Sequence, residues 1–247
     1  DWSSDVCSSD LRNLRTTGVN MLIYFNGDSN TAGSELEPGQ CYADILTQHF
    51  QATAVNHALI GCSNDHILRS TTQYIEQCKQ SQTFPDLVVI GWTEWWRQEW
   101  RRNGRFVPVT KGFAKFIDLD QFETARLEYY NNLVSTHFVY ASAMAVYYNN
   151  AIYNLHCELQ ELGIKHLFFN AIVSLNQFAD RIPIFEHQWN QCFFHPYSID
   201  MTMREWSINN NYKEVTPGWY HFEQAAQQAW AELLINHLAH ETFADTA

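Results

Sequence analysis

Met21-Leu22-Ile23-Tyr24-Phe25-Asn26-Gly27-Asp28-Ser29-Asn30-Thr31-Ala32-Gly33 decides how this chain reads, because a mostly apolar run gives way at once to small polar residues. Residues 21–26 lack a polar alternation, which suits a strand buried on both faces of a parallel sheet. Gly27 and Gly33 let the chain turn sharply on either side of Ser29. Ser29 then stands at the carboxyl end of a central strand, the edge of an open α/β sheet at which ligands bind. A hydroxyl there is a nucleophile when a base reaches it. Taken alone, the stretch reads more readily as a serine turn capping the next helix.

The pattern of strand, glycine loop and helix recurs downstream. A helix is expected over residues 40–50 and a second strand over 53–60, closed by Gly61. Ser63-Asn64-Asp65 then opens a helix to about Lys79, with Ile67, Leu68, Thr71 and Ile75 forming its apolar stripe. Residues 86–91 read as a third buried strand ending in Gly91. Trp92, Trp96 and Trp100 share the spacing of one helical face and are expected to pack inward, leaving Trp95 for other use. Residues 101–120 are basic and irregular, an exposed insertion placed to act as a lid. Residues 121–162 suit two helices or one broken helix, stopped by Gly163. A fourth strand is expected at 165–170, a short fifth at 181–186, and a periodic helix at 221–238 after the break at Pro217-Gly218. Strands alternating with helices through right-handed connections make a three-layer α/β/α sandwich on a parallel sheet.

Composition narrows the partners. Residues 1–11 lack any periodicity and look like a translated sequencing adapter, so residues 1–20 are treated as a non-native or disordered tail and 21–247 as a single domain. Native sequence is expected to begin between Arg12 and Met21, a start compatible with a lost leader as well as with a cytoplasmic or virion-associated protein. The formal charge of -12, or -9 without Asp1, Asp5 and Asp10, argues against nucleic acid as a partner. No apolar stretch approaches the ~20 residues of a membrane helix, so no membrane partner is expected either. Beyond Cys7 of the tail, Cys41, Cys62, Cys78, Cys157 and Cys192 form an odd, scattered set, which suggests reduced thiols rather than disulfides or a zinc site. His237 and His240 lie one turn apart near a helix end and read as solvated or dipole-facing groups, so neither metal nor cofactor is expected.

Four stretches taken together resemble the SGNH (GDSL-type) hydrolases, over about Met21 to Leu238. Gly27-Asp28-Ser29-Asn30-Thr31-Ala32-Gly33 resembles that family's first block, which implies Ser29 as nucleophile and Asp28 as a residue that holds the loop. Gly61 in Gly61-Cys62-Ser63-Asn64 resembles the second block, whose glycine N–H helps bind an oxyanion. The third block departs from the pattern: Trp92-Thr93-Glu94-Trp95 has Glu94 where an asparagine is usual. An ionised carboxylate would repel the developing oxyanion, so Glu94 must be protonated, turned to an Arg, or used with Thr93 in substrate recognition. Asn64 then becomes a candidate for the missing amide, or an ordinary residue of the helix start. Thr216-Pro217-Gly218-Trp219-Tyr220-His221-Phe222 resembles the fourth block and implies His221 as base, but Gly218 stands where the family has its acid. Glu214 is the favoured orienting acid, with Asp200, a backbone carbonyl or a dyad without an acid as alternatives.

The resemblance implies a flavodoxin-like strand order 2-1-3-4-5 and ester hydrolysis through an acyl-Ser29 intermediate on a small-molecule or carbohydrate ester, an O-acetylated sugar above all. The alternative reading is a catalytically weakened binding or virion-associated protein that keeps the pocket without the chemistry, favoured by Gly218 and Glu94.

Overall fold

The computed structural model describes residues 21–110, 120–136, 138–177 and 183–244. Leu22–Asn26 forms strand β1, followed by helix α1 (Tyr42–His49), strand β2 (Thr53–Asn56), helix α2 (Asn64–Ser81) and strand β3 (Leu87–Trp92). A hairpin of β4 (Gln98–Arg102) and β5 (Arg105–Val109) leads to helices α3 (Gln121–Thr136) and α4 (Phe138–Glu161). Strands β6 (Lys165–Asn170) and β7 (Phe193–Phe194) and helices α5 (Met203–Asn209) and α6 (Gln224–Ala244) follow. The main sheet is parallel in the order β2-β1-β3-β6-β7, so its strands taken in chain sequence run 2-1-3-4-5 as expected.

Alternation along β6 explains the layering. Phe169 packs edge-on against Tyr42 of α1 and Trp230 of α6, while His166, on the other face, meets His156 of α4. Every residue of β3 is buried, which is why its sequence is a continuous apolar run without alternation. Tyr24 of β1 stacks on Tyr74 of α2 at 4.2 Å, and Asn26 fastens the end of β1 to α2 by donating to the Ile67 carbonyl and to Ser70 and Thr71. α2 begins as expected, with Ser63 Oγ accepting from His66 N.

Five expectations need correction. β2 stops at Asn56, half the expected length; beyond it His57 N and Leu59 N still donate to the Phe25 and Gly27 carbonyls, but Leu59 and Ile60 are exposed. Trp92, Trp96 and Trp100 do not share a helix: Trp92 ends β3 and Trp100 lies in β4. Trp95 is not left over but fully buried, its indole donating to the Ser174 carbonyl at 2.9 Å. Residues 101–109 are not irregular, since Asn103 and Gly104, both at positive φ, close the β4–β5 hairpin, and Trp100 and Val109 pack with Leu127 and Tyr130 of α3.

The fifth strand is Phe193–Phe194 rather than 181–186; residues 183–186 are not a strand, and 181–182 lie outside the described residues. The tail 1–20 and residues 111–119 of the insertion lie outside them too. Cys41, Cys62, Cys78, Cys157 and Cys192 form no disulfide, and His237 bonds the Gln191 carbonyl at 2.8 Å. Among the described residues no helix is long and apolar enough to cross a membrane.

Gly27 shows how tightly the first loop is built. A Cβ there would lie 2.2 Å from Thr31 Oγ1 and 2.9 Å from the Gly91 carbonyl. Gly27→Ala is therefore expected to destabilise the fold by about 3 kcal/mol, read as a fall in the urea midpoint at unchanged slope. An unchanged midpoint would show that the loop can open at no cost.

Candidate active site

The carboxyl ends of β1 and β3 deliver the loops that carry the predicted residues. Ser29 follows β1 in a turn closed by bonds from Ala32 N to the Asp28 carbonyl and from Ser34 N to the Ser29 carbonyl, each 2.9 Å. Asp28 is fully buried and builds that turn: its Oδ1 accepts from Asn30 N at 3.0 Å and its Oδ2 from Thr93 Oγ1 at 2.9 Å. Thr93 is gripped in turn by Asn64, whose Oδ1 accepts from Thr93 N at 2.9 Å and whose Nδ2 donates to the Thr93 carbonyl at 3.1 Å. The amide of Asn64 thus clamps the β3 loop to the start of α2, and Thr93 clamps that loop to the turn bearing Ser29.

Glu94 is turned to an arginine, one of the three states open to it. Arg97 Nε donates to Glu94 Oε2 at 2.8 Å, and Arg97 Nη1 lies 3.8 Å from Asp28 Oδ2. The two carboxylates beside Arg97 hold its guanidinium above its usual range despite burial. The charge of Glu94 is compensated locally, which limits its repulsion of a forming oxyanion.

Two backbone N–H groups lie at turns beyond β1 and β2. Neither Ser29 N nor Gly61 N has a hydrogen-bond partner among the described residues, and the hydroxyl of Ser29 has none either. Gly61 sits at φ +69, a conformation that favours glycine, while a Cβ there would meet nothing nearer than 4.0 Å. The backbone conformation, not space, calls for glycine at this turn.

His221 docks on the loop that carries Ser29, and its partner corrects the sequence reading. Its Nδ1 bonds Glu35 Oε2 at 2.6 Å, and the other oxygen, Oε1, accepts from Thr216 Oγ1 at 2.6 Å. Glu214, the expected orienting acid, instead accepts from Gly218 N and pairs through its backbone with Phe222. Val215 N also donates to the His221 carbonyl at 2.7 Å. Glu214 therefore shapes the turn that presents His221, while Glu35 fixes the ring. A carboxylate only accepts, so Nδ1 carries the proton and Nε2 is left with its lone pair.

The Thr216 hydroxyl and then His221 hold the Glu35 carboxyl below the usual carboxylate range, outweighing its slight desolvation. By linkage, any stability from this depressed pKa is present above the ordinary glutamate range and is lost as pH falls through the folded value. No direct hydrogen bond joins Ser29 to His221, although both belong to one loop cluster. Trp219, to which the sequence reading gave no role, is 54% exposed, and its ring is centred 6.1 Å from that of His221. No short motif marks Glu35, which meets His221 across 186 positions.

No protein-family model matches this sequence, and no curated protein does. Among solved structures, the chain is similar to one described as TesA, at 15% identity and a TM-score of 0.47, over 90% of this chain and 99% of that one. It is similar also to the psychrotrophic esterase EstA from Pseudoalteromonas sp., inhibited by monoethylphosphonate, at 13% identity and a TM-score of 0.49, over 90% and 98% of the two chains. A third likeness is to a member of the lipolytic protein G-D-S-L family from Veillonella parvula, at 13% identity and a TM-score of 0.43, over 87% and 97%.

Proposed function

We propose that this chain is a serine ester hydrolase of the SGNH kind, working through an acyl-Ser29 intermediate. Ser29 Oγ attacks the ester carbonyl while His221 Nε2 takes its proton. The N–H groups of Ser29 and Gly61 meet the oxyanion that forms, each such donor being worth ~3–4 kcal/mol of barrier in a preorganised site. His221 then returns the proton to the departing alcohol, and water, activated by the same imidazole, releases the acid and restores the hydroxyl. Glu35 keeps the proton on Nδ1 throughout.

The observation that carries this reading is the 2.6 Å bond from His221 Nδ1 to Glu35, made on the loop whose serine hydroxyl and N–H are both unengaged. Carbohydrate O-acetyl esters are the finer substrate reading. Its support is Trp219, an exposed ring beside His221 on which a sugar face stacks. A weakened binding protein is the second reading, favoured by the engagement of the Asn64 amide with Thr93, which leaves backbone N–H groups as the main oxyanion donors.

A fluorophosphonate probe separates the two readings. It is expected to form one covalent adduct per chain, on the peptide containing Ser29, and to lose it when the protein is first denatured. A native chain that stays unlabelled, or is labelled at another serine, would end the hydrolase reading.

A further inference from the structure

Three donors that the site above does not use converge at the other end of β6. His166 is the second residue of that strand, His156 faces it from α4, and Cys192 immediately precedes β7. All three are buried, and one ligand atom from each lies within 4.8 Å of the others. The hydrogen bonding settles which atoms are available. His166 Nδ1 lies 3.0 Å from the Ile164 carbonyl, which can only accept, so Nδ1 carries the proton and Nε2 offers a lone pair. That Nε2 is 2.8 Å from His156 Nδ1, so in the metal-free ring pair His156 Nδ1–H donates to it. His156 Nε2 is then buried with no partner. A carbonyl that fixes the tautomer of one imidazole is the support that metal-bound histidines ordinarily have.

We propose that His156, His166 and Cys192 hold a zinc-type divalent ion that fastens α4, β6 and the approach to β7 to one another. Two imidazoles and a thiolate form a borderline-soft donor set suited to zinc, with the fourth tetrahedral position open to water. On binding, the Cys192 thiol gives up its proton to solvent and with it the weak bond to the Asn190 carbonyl at 3.6 Å, and the His156 proton moves from Nδ1 to Nε2. The bonds from Cys192 Sγ and His156 Nδ1 are replaced by bonds to the ion, and His156 Nε2–H needs a water as acceptor. The two buried rings already share a hydrogen bond, His156 Nδ1 to His166 Nε2 at 2.8 Å, an arrangement of two neutral imidazoles. Neutral rings are the form a metal takes.

The placement gives the ion a task. β7 is two residues long, and Phe168 N reaches the segment before it through the Cys192 carbonyl at 2.8 Å. So short an edge strand contributes few ladder bonds, and a cross-link to α4 and β6 would hold it in register. Trp189, whose ring is centred 5.5 Å from that of His156, supplies an emission signal beside the site.

The test uses the full chain, stripped with a chelator and dialysed metal-free. Zinc is expected to bind at one ion per chain, to change tryptophan emission, and to raise Tm by ~5–10 °C at a free concentration a hundredfold above Kd. Cobalt(II) is expected to give the near-ultraviolet band of a thiolate bound to metal. Cys192→Ser should lose that band and most of the Tm rise while its metal-free circular dichroism matches the parent. His156→Gln, a change on a helix that removes only one side-chain hydrogen bond, tests the same site independently should the first variant fold poorly. Absence of any zinc-dependent Tm rise in the parent would overturn the proposal. So would a cobalt band and Tm rise that survive in both variants, since the ion would then lie elsewhere.

Discussion

Ser29→Ala is expected to reduce hydrolysis of a simple activated ester, such as p-nitrophenyl acetate, to the solution background, a loss of ~10⁶ in kcat where a nucleophile is removed from an intact triad. The size follows from role. In the proposed mechanism no acyl-enzyme forms without Oγ, and Ser29 N–H and Gly61 N–H would retain only binding and oxyanion stabilisation, which leave residual rates well below those of the covalent route. The fold should not suffer, because Ser29 Oγ has no hydrogen bond whose loss would strand a buried partner. Tm within ~2 °C of the parent is the control that makes the rate loss interpretable. A variant that keeps more than about a tenth of the parental rate would show that hydrolysis, if any, occurs without Ser29, and would favour the binding reading.

The strands that position Ser29 were legible because burial on both faces leaves an unmistakable apolar run: residues 165–170 were read within the bounds observed for β6, and 86–91 within one residue of β3. The β4–β5 hairpin was misread for a physical reason. Its apolar residues pack against α3 from one side only, and tryptophans four apart fit a helical face as well as a strand. A signal for the hairpin was present, since Asn103-Gly104 between two short runs is a strong tight-turn dipeptide.

The short-range parts of the candidate site could be placed from the sequence. Ser29 and Thr93 follow closely on the ends of β1 and β3, and that junction of strand and loop is written locally. Glu35 was not legible, because its partnership with His221 depends on how the loop after β1 meets the turn before α6. Glu214 was close in sequence, and that proximity misled: its carboxylate reaches the Gly218 N–H before it can reach the imidazole. The His156, His166 and Cys192 cluster escaped for the same reason as Glu35, with no two of its donors at a recognised ligand spacing.

Glu35→Gln is expected to lower kcat by ~10³–10⁴ with KM changed less than about threefold. Glu35 accepts from His221 Nδ1 and from Thr216, and in the proposed mechanism these bonds keep the imidazole proton on Nδ1, leaving Nε2 to act as base. A glutamine amide can donate to Nδ1 instead. The proton then moves to Nε2, which can no longer accept one from Ser29, and the imidazolium formed during attack loses its neighbouring anion. Because Glu35 acts through His221 rather than on substrate, the loss should fall on kcat and not on KM. Glu35→Asp, one methylene shorter but still an acceptor, should recover part of the rate, whereas a purely structural role would make the two variants alike. Glu214→Gln keeps an oxygen that can accept from Gly218 N and should lower kcat by less than about threefold. Parental kcat in Glu35→Gln would remove Glu35 from the mechanism and leave His221 acting in a dyad. A Glu214→Gln loss as large as that of Glu35→Gln would show instead that the turn at residues 214–222, rather than the carboxylate on Nδ1, sets the position of the base.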